Sequence, residues 1–214
     1  MKNGLLIYSG GLDSTVLLHR YKEDIATCVY FNYGSNHYKK EIVSAKSNCD
    51  QIDIPLVEID LTASFKHIKS GLLNDADSIP DGHYEDETMK DTVVPFRNGI
   101  MLSIAAGITE SMKLDTVFIA NHAGDHVIYP DCRWAFIDSI SIAISLGTYT
   151  NIKIESPFCN LTKRGIARRG HSMGINLSRT WSCYKGGDIH CGTCGTCVER
   201  KEAMEGFDNT EYLK

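Results

Sequence analysis

The chain has no surplus of positive charge: 27 acidic residues stand against 22 Lys and Arg among 214, a formal net charge of −5. Without a global basic field to gather nucleic acid or anionic lipid, a small, non-polymeric substrate is favoured and direct nucleic-acid binding is not expected. Long uncharged runs are also missing. The longest apolar-rich stretches, residues 99–109 and 139–150, fall short of the roughly 20 that a membrane-spanning helix needs. Met1-Lys2-Asn3-Gly4 leads straight into a short apolar run and a glycine turn, with no leader core or small-residue cleavage site. That start predicts a cytoplasmic protein with no membrane partner. Internal repeats and low-complexity tracts are absent too. At 43% hydrophobic and 23% charged residues, a wholly disordered or fibrous chain is excluded, and the length suffices for a sizeable core.

What is present is an alternation of strands and helices. Leu5-Leu6-Ile7-Tyr8 reads as a buried strand stopped by Ser9-Gly10-Gly11, and residues 14–22 read as a helix with Leu17 and Tyr21 on one face. Strand 25–31, helix 36–52 and strand 55–59 follow. Helix 98–112 carries Ile100, Ile104, Ile108 and Met112 four apart and is apolar nearly all round, which predicts full burial or a subunit interface. Strand 116–120, helix 134–146 and strand 152–156 carry the rhythm on, to about residue 175. The expected fold is α/β, a Rossmann-like parallel sheet flanked by helices.

Two stretches depart from the rhythm. A long insertion covers about residues 62–95, and its part 75–91 holds seven acids and one Lys around a Pro-Asp-Gly turn signal, the composition of a lid or of a solvated loop. From Trp181 the chain turns to Cys and Gly. Residues 1–180 are thus expected to form the main domain and residues 181–214 a small appendage packed on it.

Ser9-Gly10-Gly11-Leu12-Asp13-Ser14-Thr15 lies between a buried strand and a helix, where backbone N–H groups and the helix dipole favour an anion. The common Gly-x-x-x-x-Gly-Lys-Ser/Thr and Gly-x-Gly-x-x-Gly patterns are not present. A tight turn with Asp13 or Ser14 as helix cap is the plainer alternative. Ser-Gly-Gly-x-Asp-Ser resembles the pyrophosphate loop of the ATP pyrophosphatase superfamily, whose members split ATP into AMP and pyrophosphate while adenylating a carboxylate or carbonyl. The resemblance implies an ATP site built from Tyr8, Ser9, Gly10, Gly11, Leu12, Asp13, Ser14, Thr15 and Lys163, with Asp13 orienting Mg²⁺ or the loop.

Cys183 precedes Cys191-x-x-Cys194-x-x-Cys197 by seven intervening residues, four soft ligands within fifteen positions. Four thiolates suit a closed, structural zinc site. An iron–sulfur cluster is the competing occupant, but the pattern lacks a nearby further Cys followed by Pro. His190 is a spare ligand that such a site does not need.

Phe31-Asn32-Tyr33-Gly34-Ser35-Asn36-His37, Val93-Val94-Pro95-Phe96-Arg97-Asn98, Tyr129-Pro130-Asp131-Cys132-Arg133 and Ser182-Cys183-Tyr184 occur in the same chain. Together with the loop and the four cysteines they resemble the 7-cyano-7-deazaguanine synthase family over essentially the whole length. The resemblance implies an adenine nucleotide alpha hydrolase-like fold with a zinc-binding tail, and a homodimer. It implies a carbon–nitrogen ligase that uses ATP, Mg²⁺ and ammonia to turn 7-carboxy-7-deazaguanine into the nitrile, a precursor of queuosine in tRNA. Asp13, Lys163 and Arg97 are then the catalytic candidates, and Arg97, Asn98, Tyr129, Asp131 and Arg133 the substrate-binding ones. Each has a plainer role open to it: Lys163 as a solvated side chain, Arg97 and Asn98 in a structural salt bridge, Tyr129 and Asp131 in a turn. His37, His122 and His126 are either proton carriers or ordinary histidines. The chain departs from the family at Phe96, where Gly is usual, at Asn32, where Asp is common, and through residues 120–126. A branch that stops at the amide or uses another acceptor, and an adenylating tRNA-modifying enzyme, are the alternatives.

Overall fold

Strand β1 (Gly4–Ile7) lies at the centre of a five-stranded sheet and is buried on both faces. The computed structural model describes residues 2–74 and 79–213; the acidic stretch 75–91 therefore lies partly, at 75–78, outside the described residues. After β1 come α1 (Leu12–Arg20), β2 (Ile25–Asn32), α2 (Tyr38–Gln51) and β3 (Leu56–Asp60). Single-turn helices α3 (Thr62–Phe65) and α4 (Gly71–Asn74) occupy the start of the insertion. The chain continues through α5 (Arg97–Ser111), β4 (Thr116–Phe118), the short α6 (Asp125–Ile128), α7 (Trp134–Gly147), β5 (Lys153–Glu155) and α8 (Lys163–Ser172). Helix α9 (Gly195–Ala203) forms within the Cys-rich tail. No helix among the described residues is long and apolar enough to cross a membrane.

All strand pairs are parallel and the order is β3-β2-β1-β4-β5. The chain winds outward from β1 in one direction and then in the other. The crevice where the direction changes, at the C-terminal ends of β1 and β4, is where open α/β sheets bind ligands. Because side chains alternate along a strand, each buried strand feeds two cores. Leu5, Val29, Phe31 and Val117 face the layer containing Leu102, Ala105 and Ile137. Leu6, Tyr8, Cys28 and Tyr30 face the layer containing Leu17, Ile42 and Ile166.

The expected elements are present, with ends displaced by one or two residues. Tyr8 falls just past β1, although its N–H still reaches Val29 O at 2.8 Å. Helix α5 is buried at Met101, Leu102, Ala105 and Ala106, with Ile100, Ile104 and Ile108 partly buried against the same core. The cysteine tail belongs to that core as well: Cys183, Cys191, Cys194 and Cys197 are buried in it. Arg200, fully buried, donates to Leu177 O at 2.6 Å, Thr180 Oγ1 at 2.8 Å and Ser182 Oγ at 3.0 Å, so one guanidinium ties α9 to the segment before the tail.

Gly10 turns the chain between β1 and α1 at φ +76°, a left-handed conformation open to glycine. A Cβ there would lie 2.7 Å from Ala45 N and 2.8 Å from Glu41 O, so the loop rests directly on the backbone of α2. Its carbonyl receives Trp181 N at 3.1 Å and lies 2.8 Å from Ser44 Oγ. Gly10→Ala is expected to lower the unfolding free energy by about 2–4 kcal/mol, from a strained φ added to a backbone collision. Urea denaturation checks this, since an unchanged midpoint means that the loop does not rest on α2.

Candidate active site

The ends of β1, β2 and β4 open into a cavity that has the glycine loop at one end and a group of aromatic side chains at the other. At the loop end, Ser9, Gly11, Leu12, Asp13 and Ser14 line the wall. The Ser9 and Ser14 hydroxyls are 3.1 Å apart, and Gly11 N donates to Ser9 Oγ at 3.2 Å. Helix α1 starts after Gly11 with no side-chain cap, so its positive end is left for an anion. Gly10 and Thr15 shape the loop from behind. Thr15 is buried with its hydroxyl 2.9 Å from Tyr8 Oη, bracing strand against helix.

Lys163, at the first turn of α8, reaches across to Asp13, with Nζ 2.5 Å from Oδ2. Glu199 Oε2 lies 3.6 Å from the same ammonium, and Glu199 Oε1 lies 3.7 Å from His122 Nε2. His122 Nε2 is also 3.4 Å from Asp125 Oδ1, which accepts from Tyr84 Oη at 2.9 Å. Burial alone would depress the Lys163 pKa, but Asp13 and Glu199 raise it well above the ordinary lysine value and keep it charged. Burial pushes the Asp125 carboxyl upward; His122 and Lys163 outweigh this and hold it below its usual range. Asp13 Oδ1 is buried with no hydrogen-bond partner, a carboxylate oxygen open to a cation, so this position fits Mg²⁺ accompanying a nucleotide.

At the other end, Tyr33, Tyr84, Tyr129, Tyr184, Arg97 and Asn98 line the cavity together with His37 and Glu41. Arg97 donates to Tyr33 Oη at 3.2 Å, and its guanidinium carbon lies 5.6 Å from that ring's centroid. Glu41, on α2, accepts from Tyr30 Oη at 3.1 Å and has His37 Nε2 at 3.5 Å. Burial pushes the Glu41 carboxyl up to about 7, against the pull of Tyr30 and Arg97. Burial and the Arg97 charge push His37 down to about 3, so it is neutral here.

The remaining candidates are used elsewhere. Asp131 accepts Asn98 N at 2.8 Å and so caps the start of α5, and Arg133 donates to His126 O at 2.9 Å; neither lines the cavity. His126 Nε2 lies 3.5 Å from Cys159 Sγ, outside the lining. Phe96 stands at φ +55°, which explains why glycine suits this position, and packs edge-on to Phe136 with ring centroids 5.6 Å apart. Asn32 accepts Gly34 N at 3.1 Å, a turn bond that an Asp makes equally well. Asn121 donates to Cys132 O at 2.6 Å and accepts from Ser156 Oγ at 2.6 Å, tying down the chain after β4.

The insertion supplies a wall. Tyr84 and Met89 are buried, and Gly82 N donates to Thr193 O at 3.1 Å, binding the insertion to the cysteine tail. Glu41, Asp125, Glu199 and Tyr84 carried no sequence signal beyond Glu199's place two residues after Cys197.

The four tail sulfurs lie within 4.8 Å of one another, and Cys191 Sγ is 3.8 Å from Cys197 Sγ. Tetrahedral zinc with sulfurs at about 2.3 Å requires sulfur–sulfur edges of about 3.8 Å. Cys191 Sγ also accepts from Thr193 N at 3.4 Å and Cys194 N at 3.3 Å, bonds that support a thiolate. The set fits zinc. His190 stands apart, its Nε2 accepting Ser182 N at 3.1 Å.

A family model described as "Queuosine biosynthesis protein QueC" matches residues 3–208. The 7-cyano-7-deazaguanine synthase of Porphyromonas gingivalis strain ATCC 33277 is 47% identical over 214 residues, covering 99% of this chain and 97% of that protein. That of Desulfotalea psychrophila is 44% identical over 218 residues and covers both chains completely. NMN synthetase from Francisella tularensis superposes with a TM-score of 0.48 at 13% identity, over 88% of this chain and 69% of that one.

Glu41 yields a pH prediction. Its folded-state pKa lies above the unfolded value, so the native state carries a penalty that grows as pH rises from about 4.5 to 7 and is constant beyond. Glu41→Gln removes this penalty. Relative to wild type, the variant is expected to gain about 2 kcal/mol between about pH 5 and about pH 8. Denaturation at both pH values checks it, and taking the difference between proteins cancels the opposite slope from His37. A gain that does not change with pH overturns the assignment.

Proposed function

The chain belongs to the QueC family of queuosine biosynthesis proteins, and on that basis we propose that its cavity converts 7-carboxy-7-deazaguanine, ATP and ammonia into 7-cyano-7-deazaguanine. The observation that carries this reading is the single cavity in which the glycine loop and Lys163 meet Arg97 and the tyrosine-lined end. A carboxylate is a poor electrophile, so the acid oxygen attacks the α-phosphorus of ATP, pyrophosphate leaves and the acyl adenylate forms. Ammonia adds to the carbonyl and AMP departs, leaving the amide. A second adenylation at the amide oxygen, followed by loss of AMP and a proton, gives the nitrile without any redox cofactor.

Ser9, Gly11, Ser14 and the start of α1 are suited to hold the pyrophosphate, and Lys163 to offset the charge that grows on it. Arg97 is suited to bind the acid's carboxylate, with the tyrosines enclosing the ring. Asp13, through its unpartnered Oδ1, would hold Mg²⁺, which when bound would supply charge neutralisation for the phosphates. Zinc at the four cysteines is structural. The substrate is read as the free base, in keeping with the acidic balance of the chain. Residues 181–214 are read as a zinc-binding segment of the same unit.

A homodimer is part of the same proposal. Helix α7 leaves Trp134, Ile142 and Leu146 exposed, and Tyr149 just beyond it is 97% exposed, an apolar face that a second copy would cover. Sedimentation is expected to show two chains, and Leu146→Glu to release monomers; a monomeric wild type removes the dimer.

Mass spectrometry of the reaction with 7-carboxy-7-deazaguanine, ammonium and MgATP tests the activity. The nitrile and AMP are expected, and Asp13→Ala should slow their formation by about 100-fold while the protein remains folded. Amide alone places the chain in a branch that stops halfway, and absence of both products removes the substrate assignment.

A further inference from the structure

We propose that Glu199 is a positioning residue for Lys163, brought to the phosphate end of the cavity by the zinc-binding segment. Helix α9 is capped by Cys194 and carries Cys197, Glu199 and Arg200. At 100° per residue, Cys197 and Glu199 lie about 200° apart around the helix. The helix can thus direct one side chain to the sulfur cluster and the other to the loop. Arg200 holds its orientation through the bonds to Leu177, Thr180 and Ser182.

Glu199 does not line the cavity, whereas Asp13 and Lys163 do. Its carboxylate bridges two groups that come from different elements: Lys163 Nζ at 3.6 Å and His122 Nε2 at 3.7 Å. It is 13% exposed and therefore little screened. Lys163 needs such a partner for two reasons. Its ammonium springs from the first turn of α8, where the helix dipole disfavours a cation. Its other partner, Asp13, sits on the loop that receives the phosphates, so Asp13 is not free to hold the lysine when its carboxylate turns to a cation. Glu199 lies off the loop and keeps its hold in either condition. The four cysteines thereby do more than close a fold: they place the carboxylate that aims the lysine.

The inference rests on the ATP-dependent reading above, and its test uses nucleotide binding so that the two can fail separately. MgATP dissociation constants are measured by calorimetry for wild type, Glu199→Gln, Lys163→Ala and the double variant, with zinc per chain determined for each. Glu199→Gln is expected to weaken binding about tenfold in the wild-type background and less than about twofold when Lys163 is already Ala, with zinc unchanged. Glu199→Asp, which keeps the charge but withdraws it by one methylene, is expected to fall between. Should Glu199→Gln fail to retain zinc, Glu199→Asp carries the same cycle with the same criterion. Equal weakening in both backgrounds, or none in either, overturns the proposal. A wild type that binds MgATP yet releases no pyrophosphate with acid and ammonia removes the catalytic reading and leaves the cycle intact; one that does not bind it removes both.

Discussion

The architecture of the site depends on how closely the main chain at Gly10 approaches helix α2. There is no room for a side chain between them. The turn therefore lies flat against the helix, its carbonyl shared with Trp181 N and Ser44 Oγ, and Gly11, Leu12, Asp13 and Ser14 follow along the cavity wall. Ser44 Oγ also lies 2.7 Å from Arg179 O, so one hydroxyl on α2 touches both the loop and the approach to the tail. Loop, helix and tail are fixed at a single point, and the floor of the cavity inherits its shape from there.

Charge is arranged unequally over that floor. At the loop end and just behind it, Asp13, Asp125 and Glu199 gather around Lys163 and His122, so that each carboxylate has a partner, as burial demands. The aromatic end holds Arg97 near tyrosine hydroxyls and a Glu41 carboxyl whose pKa burial raises to about 7. A polyanion and a flat heterocycle would thus meet opposite environments a short way apart.

Much of this was legible beforehand. The alternation of buried runs and helices fixes a parallel sheet, and Ser9 to Thr15 and the four cysteines are contiguous or nearly so, which is why local pattern finds them. The rest is distributed. Glu41 comes from α2 and Asp125 from α6, and they line one cavity, with Glu199 of α9 behind its wall, because β1 lies between β2 and β4. No spacing along the chain encodes that meeting. Tyr129-Pro130-Asp131-Cys132-Arg133 shows the converse: Tyr129 and Cys132 line the cavity, while Asp131 is spent on the backbone of α5 and Arg133 on a neighbouring carbonyl. Phe96 departs from the expected glycine and retains the left-handed backbone by packing its ring over Gly99 and against Phe136.

The bond from Trp181 N to Gly10 O joins the beginning of the polypeptide to a segment made near its end. On the ribosome, β1 and the glycine loop emerge early, and the sheet can begin to assemble while the chain is still growing. The loop's carbonyl has no tail to meet until residue 181 is clear of the exit, and the sulfur cluster cannot close before Cys197. The contact between loop and tail and the closing of the sulfur cluster therefore come late in synthesis, after every strand of the sheet has been made.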